Sequence, residues 1–155
     1  MKQRSLACWL LGVWALTAAC SRSSERQVYV SELEQAHSAA DHAATEGETR
    51  SALRSLERAF ELSPEGNRET TLSLRQDLAD RIARLHLRLG EAQTSLEWAR
   101  KGLTQSDRNT VLRATLLITE ADALEALGER DQARDRLMSA LEINQALLHV
   151  ELEEP

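Results

Sequence analysis

Two histidines and an aspartate in one short segment are the residues whose types and spacing best suit metal chemistry. His37 and Asp41 are four residues apart, and in a helix that spacing places both side chains on one face, where they could chelate together. His42 is turned by about 100° from Asp41 and is poorly placed as a third ligand. We therefore expect a solvated helix face with a His–Asp contact, and no metal.

The rest of the sequence contains no motif that carries catalysis. It lacks Gly-x-Ser-x-Gly, a glycine-rich phosphate loop and His-Glu-x-x-His. His86 lies within or beside an apolar stripe, where a packed and hydrogen-bonded histidine is expected. Trp98 is expected to pack within the fold, with a partner-binding hot spot as the alternative. These observations predict a protein that is not an enzyme and uses no cofactor.

The composition indicates a small globular domain or a short repeat array. The chain has 155 residues, of which 42% are hydrophobic, with only six glycines and two prolines. So few turn-forming residues argue against an all-β fold. The net charge of −6 disfavours binding to nucleic acid.

The first twenty residues have the order of a secretory signal. Lys2 and Arg4 are followed by an apolar run, Leu6 to Leu16, and then by small residues. The uncharged stretch is 17 residues long, from Ser5 to Ser21, which is shorter than the roughly 20 apolar residues of a membrane-spanning helix. Its end, Leu16-Thr17-Ala18-Ala19-Cys20, resembles the lipobox of bacterial lipoproteins.

That resemblance implies a lipid anchor on Cys20, with residues 1–19 removed as a signal peptide and residues 20–27 forming the lipidated cysteine and a polar spacer. Ser21, in place of an acidic residue, favours the periplasmic face of the outer membrane. An ordinary signal peptide cut nearby, with Cys20 incidental, is the alternative. Processing would change the net charge from −6 to −8 and leave one cysteine, so an internal disulfide is impossible.

From Val28 onward the apolar residues recur at three- and four-residue steps, which predicts an all-α domain over residues 28–152. We predict six helices at 28–46, 48–62, 67–89, 91–104, 107–127 and 129–152. Asp107 is the predicted cap of the fifth helix. Gly47, Gly90 and Gly128 occupy places where left-handed residues end helices.

The same three glycines mark an internal repeat. Each is followed by glutamate, and a small residue stands five residues after it: Ala52, Ser95 and Ala133. Further matches occur nine residues after the glycine (Leu56, Ala99, Leu137), twelve after (Ala59, Gly102, Ala140) and thirteen after (Phe60, Leu103, Leu141). Three helix–turn–helix units are therefore predicted, each covering an apolar face of its neighbour.

This pattern resembles the tetratricopeptide (TPR) repeat. Unit one carries it best in its second helix and in the closing Pro64, and unit three matches through Ala121, Leu124 and the residues after Gly128. The glycines lie 43 and 38 residues apart, against a TPR period of 34, which lengthens the leading helices of units two and three. The resemblance implies a short α-solenoid of three TPR-like repeats; a compact antiparallel helix bundle is the alternative.

In TPR-like folds the leading helix of each repeat, which comes before the turn glycine, lines a concave groove. The resemblance therefore implies that defined positions of the leading helices of this chain line such a groove. Its charged members are Glu34, His37, Asp41, Asp77, Asp80, Arg84, Arg88, Asp122 and Glu125. The groove is thus expected to be mostly acidic and to bind a basic or polar peptide segment. By contrast, the ridge of Arg81, Arg84 and Arg88, interleaved with aspartates, is expected to form an exposed face with weak local pairs.

The last helix has no stop signal, and its apolar residues continue to Leu152. It either caps unit three or provides a self-association surface. The resemblance as a whole implies a membrane-anchored scaffold for protein–protein interaction in the bacterial envelope, such as an accessory of a secretion, pilus or outer-membrane assembly. The alternative is a self-associating structural lipoprotein built as a helix bundle.

Overall fold

The computed structural model describes residues 29–43, 45–63 and 68–153, and within these ranges the chain forms six helices and no strand. Helix α1 covers the described residues 29–42. It is followed by α2 (Glu46–Leu62), α3 (Glu69–Arg88), α4 (Ala92–Leu103), α5 (Val111–Ala126) and α6 (Arg130–Glu153). The predicted all-α class is confirmed. Among the residues described, no helix combines the length and the apolar character needed to cross a bilayer.

The boundary between α1 and α2 differs from the prediction. Thr45 forms a capping box with Glu48: the Thr45 hydroxyl accepts from the Glu48 amide at 3.3 Å, and the Glu48 carboxylate accepts from the Thr45 amide at 2.9 Å. Helix α2 therefore begins at Glu46 and includes Gly47 in its first turn. The expectation that Gly47 ends a helix in a left-handed conformation is wrong, because this capping box starts the next helix before it.

The other two turn glycines have the predicted conformation. Gly90 and Gly128 have φ of 75° and 84°, a region that L side chains disfavour. The residue after each glycine donates a hydrogen bond to the carbonyl five residues before it, which closes the helix end. These bonds run from Glu91 N to His86 O and from Glu129 N to Leu124 O, and both are 2.9 Å. These bonds fix two of the three predicted helix-to-helix turns.

Helix α5 begins later than predicted because Thr110, and not Asp107, caps it. The Thr110 hydroxyl accepts from the Arg113 amide at 3.2 Å. The Arg113 guanidinium also donates to Ser106 O at 2.9 Å, which holds the preceding loop against the helix. Residues 104–110 thus form a connection, and not the first turns of α5.

The helices pack in sequence order: α2 on α3, α3 on α4, α4 on α5 and α5 on α6, with α3 also packing on α5. The largest apolar cluster joins α1, α2 and α3 around Leu56, Leu78 and Ile82. Two smaller clusters join α4, α5 and α6. Burial of these aliphatic side chains is the main stabilising contribution in a domain with so few aromatic residues.

A close helix approach involves Gly102, a small residue of unit two. A Cβ atom on Gly102 would lie 2.7 Å from Leu116 Cδ2 and 2.9 Å from Ala79 Cβ. The absence of a side chain therefore lets α4 approach both α3 and α5. The corresponding Ala59 and Ala140 are buried too, so the small-residue positions of the repeat are packing positions.

Candidate protein-binding groove

Helices α1 and α3 form an open cleft of about 260 Å³, which we call the α3 cleft. Its lining residues are Ala40, Asp41, Asp77, Asp80, Arg81, Arg84, Leu85 and Arg88. Five of the nine charged residues predicted for the groove are among them. The α3 cleft is thus where the sequence-derived positions of α1 and α3 come together.

Arg81 is the central side chain of the α3 cleft, although the sequence analysis placed it only on a solvated ridge. Its Nη1 atom lies 3.0 Å from Asp41 Oδ1, and its Nε atom lies 3.1 Å from Asp77 Oδ2. Because Asp41 is on α1 and Asp77 is on α3, Arg81 joins the two helices. The pair with Asp77 is the local pairing expected along α3, and the pair with Asp41 on α1 was not expected.

His37 and Asp41 have different neighbours on α3 and do not point to a shared ligand. His37 Nε2 lies 3.5 Å from Asp77 Oδ2, whereas Asp41 pairs with Arg81. Burial and the positive charge of Arg81 lower the pKa of His37 and outweigh Asp77 and Asp41. Within the described ranges, no group of three or more His, Cys, Asp or Glu residues is arranged to hold a metal ion.

Asp80 is a structural carboxylate, and not the exposed groove acid that the sequence analysis expected. It is only 4% exposed, and the Thr119 hydroxyl donates to its Oδ1 atom at 2.6 Å. The Arg84 guanidinium pairs with its Oδ2 atom. The physical reason for the burial is that α3 packs against α5 at this point, so Asp80 joins these two helices.

Asp122 and Glu125 extend the acidic surface from the α3 cleft onto α5. Partial burial raises the pKa of Asp122 above its ordinary value of 3.8, the negative charges of Glu125 and Asp80 raise it further, and Arg84 opposes them. Both carboxylates are exposed, and neither makes an ion pair with another described residue. This part of the surface therefore has an excess of negative charge.

The two remaining predicted residues are Arg88, which lines the α3 cleft, and Glu34, which does not. Arg88 donates from Nη1 to Ala43 O at 3.1 Å, which satisfies a carbonyl just beyond the described end of α1. Glu34 is exposed on α1 and is not part of the cleft lining. Besides the buried Asp80, the predicted acids Asp41, Asp77, Asp122 and Glu125 thus lie on α1, α3 and α5 together with Arg81, Arg84 and Arg88.

His86 and Trp98 are packed side chains away from this surface. His86 is buried between two carboxylates: its Nδ1 atom lies 2.7 Å from Glu91 Oε2, and its Nε2 atom lies 3.7 Å from Glu57 Oε1. The hydrogen bond with His86 is the main cause that lowers the pKa of Glu91. Trp98 meets Phe60 edge to face, with ring centroids 5.2 Å apart, and Lys101 lies over both rings.

The predicted signal peptide, Cys20 and the spacer to residue 27 lie outside the described residues, as does Pro64. Comparison of the chain with protein-family models, with curated proteins and with solved structures gives no match.

Proposed function

We propose that this protein is a lipid-anchored interaction module of a bacterial cell envelope, and that the groove formed by α1, α3 and α5 binds a basic or polar segment of an envelope protein. The observation that carries the proposal is the acidic excess at Asp122 and Glu125, beside a cleft whose other acids are already paired with arginine. Partial burial is the main cause that raises the pKa of Asp122, and repulsion by Glu125 adds to it; a cation of a partner placed there would offset both.

The helix order supports a TPR-like arrangement for this module. Helices α1, α3 and α5 are the leading helices of the three glycine-marked units, and in TPR-like folds the leading helices line the concave face. Ion pairs of Arg81 connect α1 to α3, and the Asp80–Thr119 hydrogen bond connects α3 to α5. A row of neighbouring leading helices is the geometry that such a groove requires.

The envelope location is inferred from the lipobox-like sequence before Cys20. Two or more acyl chains give stable attachment, since each buried CH₂ contributes about 0.8 kcal/mol. Residues 21–27 span roughly 23 Å when extended, which keeps the helical domain close to the membrane surface. Ser21 favours the periplasmic face of the outer membrane, where the partner is proposed to be a component of a larger assembly.

The groove is tested by neutralising the unpaired acids without changing their shape. The double variant Asp122→Asn with Glu125→Gln should bind the partner recovered by cross-linking in the envelope roughly three- to tenfold more weakly, with a shallower salt dependence. A labelled lysine-rich peptide serves as a defined probe of the same surface. Asp80 is left unchanged, because altering this buried residue would disturb the fold.

The matched control neutralises two exposed acids outside the groove, Glu61→Gln and Glu97→Gln. It should bind the partner and the peptide like the wild type. Equal affinity and equal salt dependence for the groove variant and for the control, in proteins that melt normally, would place the binding surface elsewhere on the molecule.

The anchor is tested separately by Cys20→Ser in the full chain. This variant should incorporate no labelled palmitate and should leave the membrane fraction or accumulate uncut. Mature wild-type protein should begin at the modified cysteine when it is sequenced by mass spectrometry. Palmitate incorporation by Cys20→Ser would contradict the lipobox interpretation while leaving the groove proposal intact.

A further inference from the structure

Helix α6 has one broad apolar stripe, which is covered along one edge and exposed along the other. Along the covered edge, Ala133, Ala140 and Ile143 are buried in clusters shared with α5. Beside them lie four exposed apolar side chains, which we call the open face of α6: Leu137, Met138, Leu141 and Leu148. The steps of four and seven residues between its leucines place them along one line of the helix.

The corresponding positions of unit one are fully covered. Leu56 and Phe60, nine and thirteen residues after Gly47, are 0% and 2% exposed and pack in one cluster with α3. Leu137 and Leu141 hold the same places after Gly128 and are 47% and 48% exposed. The same type of surface that α3 covers in unit one is thus uncovered in unit three.

Unit two agrees with unit one. Ala99, nine residues after Gly90, is 0% exposed, and Leu103 packs against Ala114 and Leu117 of α5. In both of these units, the helix that follows along the chain covers the face. Within the described residues, no helix covers it on α6. The open face is therefore a helix-packing surface in composition and spacing.

We propose that the open face of α6 packs against the open face of a second copy, forming a two-fold dimer. Elsewhere in the described ranges, no helix exposes more than two large apolar side chains, so the face itself is the best apolar complement among the described helices. A head-to-tail stack would instead set Leu137 and Leu141 against α1, where Val30 is the one large apolar residue exposed among those described. Self-complementarity of one patch is what a closed two-fold interface requires.

The size of the face indicates a weak dimer. The open face runs from Leu137 to Leu148, so at about 1.5 Å per residue and about 10 Å in width it covers roughly 180 Å². Standard stable interfaces bury about 800 Å² per partner. The dimer should therefore be much weaker than a standard stable complex. Antiparallel pairing is favoured because it places the positive N-terminal end of each helix dipole beside the negative C-terminal end of the other.

The occupant is identified by photo-crosslinking in the full chain. Benzoylphenylalanine replaces Leu141, and two copies with different tags are expressed together. Irradiation should join the two tags, and the crosslinked peptide should map to residues 134–148 of the second copy. The same probe at Ile118, which is exposed on α5, is the control and should give no such product. A crosslink to residues 1–27, a crosslink to another protein, or no crosslink would each overturn the proposal.

Sedimentation of the full chain in density-matched detergent measures the strength of the dimer. Leu137→Glu with Leu141→Glu should raise the dissociation constant at least tenfold, because it removes apolar contact and opposes like charges across the two-fold axis. Leu137→Ala with Leu141→Ala keeps helix propensity and should also weaken the dimer. Val30→Glu with Leu62→Glu matches the charge change elsewhere and should dimerise like the wild type. A wild-type monomer up to about 100 µM, or equal dissociation constants for all these proteins, would overturn the proposal.

Discussion

Glu120 and Arg100 form an ion pair in which the carboxylate is almost completely buried and the cation is half exposed. Arg100 Nε lies 2.9 Å from Glu120 Oε1, and Arg136 Nε lies 3.2 Å from Glu120 Oε2. The Glu120 side chain is 2% exposed, whereas both arginines reach solvent. One carboxylate of α5 therefore holds a cation from α4 and another from α6.

This asymmetry predicts unequal costs for removing the two sides of the network. Glu120→Gln leaves both arginines able to reach water, so the free energy of unfolding should fall by about 1–2 kcal/mol. Arg100→Met with Arg136→Met leaves a buried carboxylate without a cation and should cost about 3–5 kcal/mol. Urea unfolding checks both values, with Arg134→Met as the control at an exposed arginine of α6. A larger loss of stability for Glu120→Gln than for the double arginine variant would contradict this prediction.

Gly102 is predicted to be more stabilising than alanine at its position, although alanine favours helices. The added Cβ would meet Leu116 and Ala79 at less than 3 Å. Overpacking costs about 1–3 kcal/mol, which exceeds the gain of up to about 1 kcal/mol in helix propensity. Gly102→Ala should therefore lower the melting temperature.

Gly47→Ala is the matched control for that substitution. Gly47 lies in the first turn of α2, has no positive φ, and a Cβ there would meet nothing within 4 Å. Alanine should thus stabilise the protein by about 0.5–1 kcal/mol. The two substitutions are expected to shift thermal unfolding in opposite directions, and shifts of the same sign would show that the close helix approach at Gly102 is misassigned.

Arg81 is predicted to hold α1 against α3. Arg81→Met removes the pairs with Asp41 and Asp77, so hydrogen exchange in residues 29–42 should speed up before exchange elsewhere does. The pairs are partly exposed, so the expected loss is only about 1 kcal/mol. Arg58→Met removes a more exposed and longer pair, in which Arg58 of α2 lies 3.5 Å from Glu32 of α1. This substitution should change hydrogen exchange in α1 much less. Equal effects of the two substitutions would show that Arg81 has no special part in docking α1.

The sequence predicted the helices well because apolar periodicity and two left-handed glycines determine most of their limits. It failed where two local signals compete. At the end of α1, the capping box of Thr45 and Glu48 starts α2 before Gly47 can end a helix. Before α5, Thr110 lies closer to the first apolar residues of the helix than Asp107 does. Such choices depend on side-chain hydrogen bonds that residue types alone leave open.

Some of the residues predicted for the groove line one cleft, although the burial and pairing of several of them differ from the expectation. Offsets from the turn glycines brought Asp41, Asp77 and Arg84 to the α3 cleft. They could not show that Asp80 is buried, because its burial depends on Thr119 of α5, 39 residues away. They also left out Arg81, whose side chain reaches Asp41 on α1. The spacing of four residues between Asp77 and Arg81 is the one sequence signal that could have pointed to it.

Asp122 is predicted to oppose stability while it supports binding. Because the pKa of Asp122 is raised in the folded chain, its ionised form destabilises the fold at neutral pH. Asp122→Asn should therefore melt higher than the wild type at pH 7. The difference should shrink as the pH falls through the raised pKa of Asp122, and should vanish below its ordinary value of 3.8.

The same single variant should bind the lysine-rich peptide more weakly, since the carboxylate that repels Glu125 is also the one that attracts a partner's cation. Thermal unfolding from pH 3 to 7, combined with binding at pH 7, checks both effects. Glu97→Gln should change neither. Higher stability with unchanged binding would show that the acidic excess is an unfavourable surface feature and not part of a site. Lower stability at pH 7 would contradict the like-charge account of Asp122 itself.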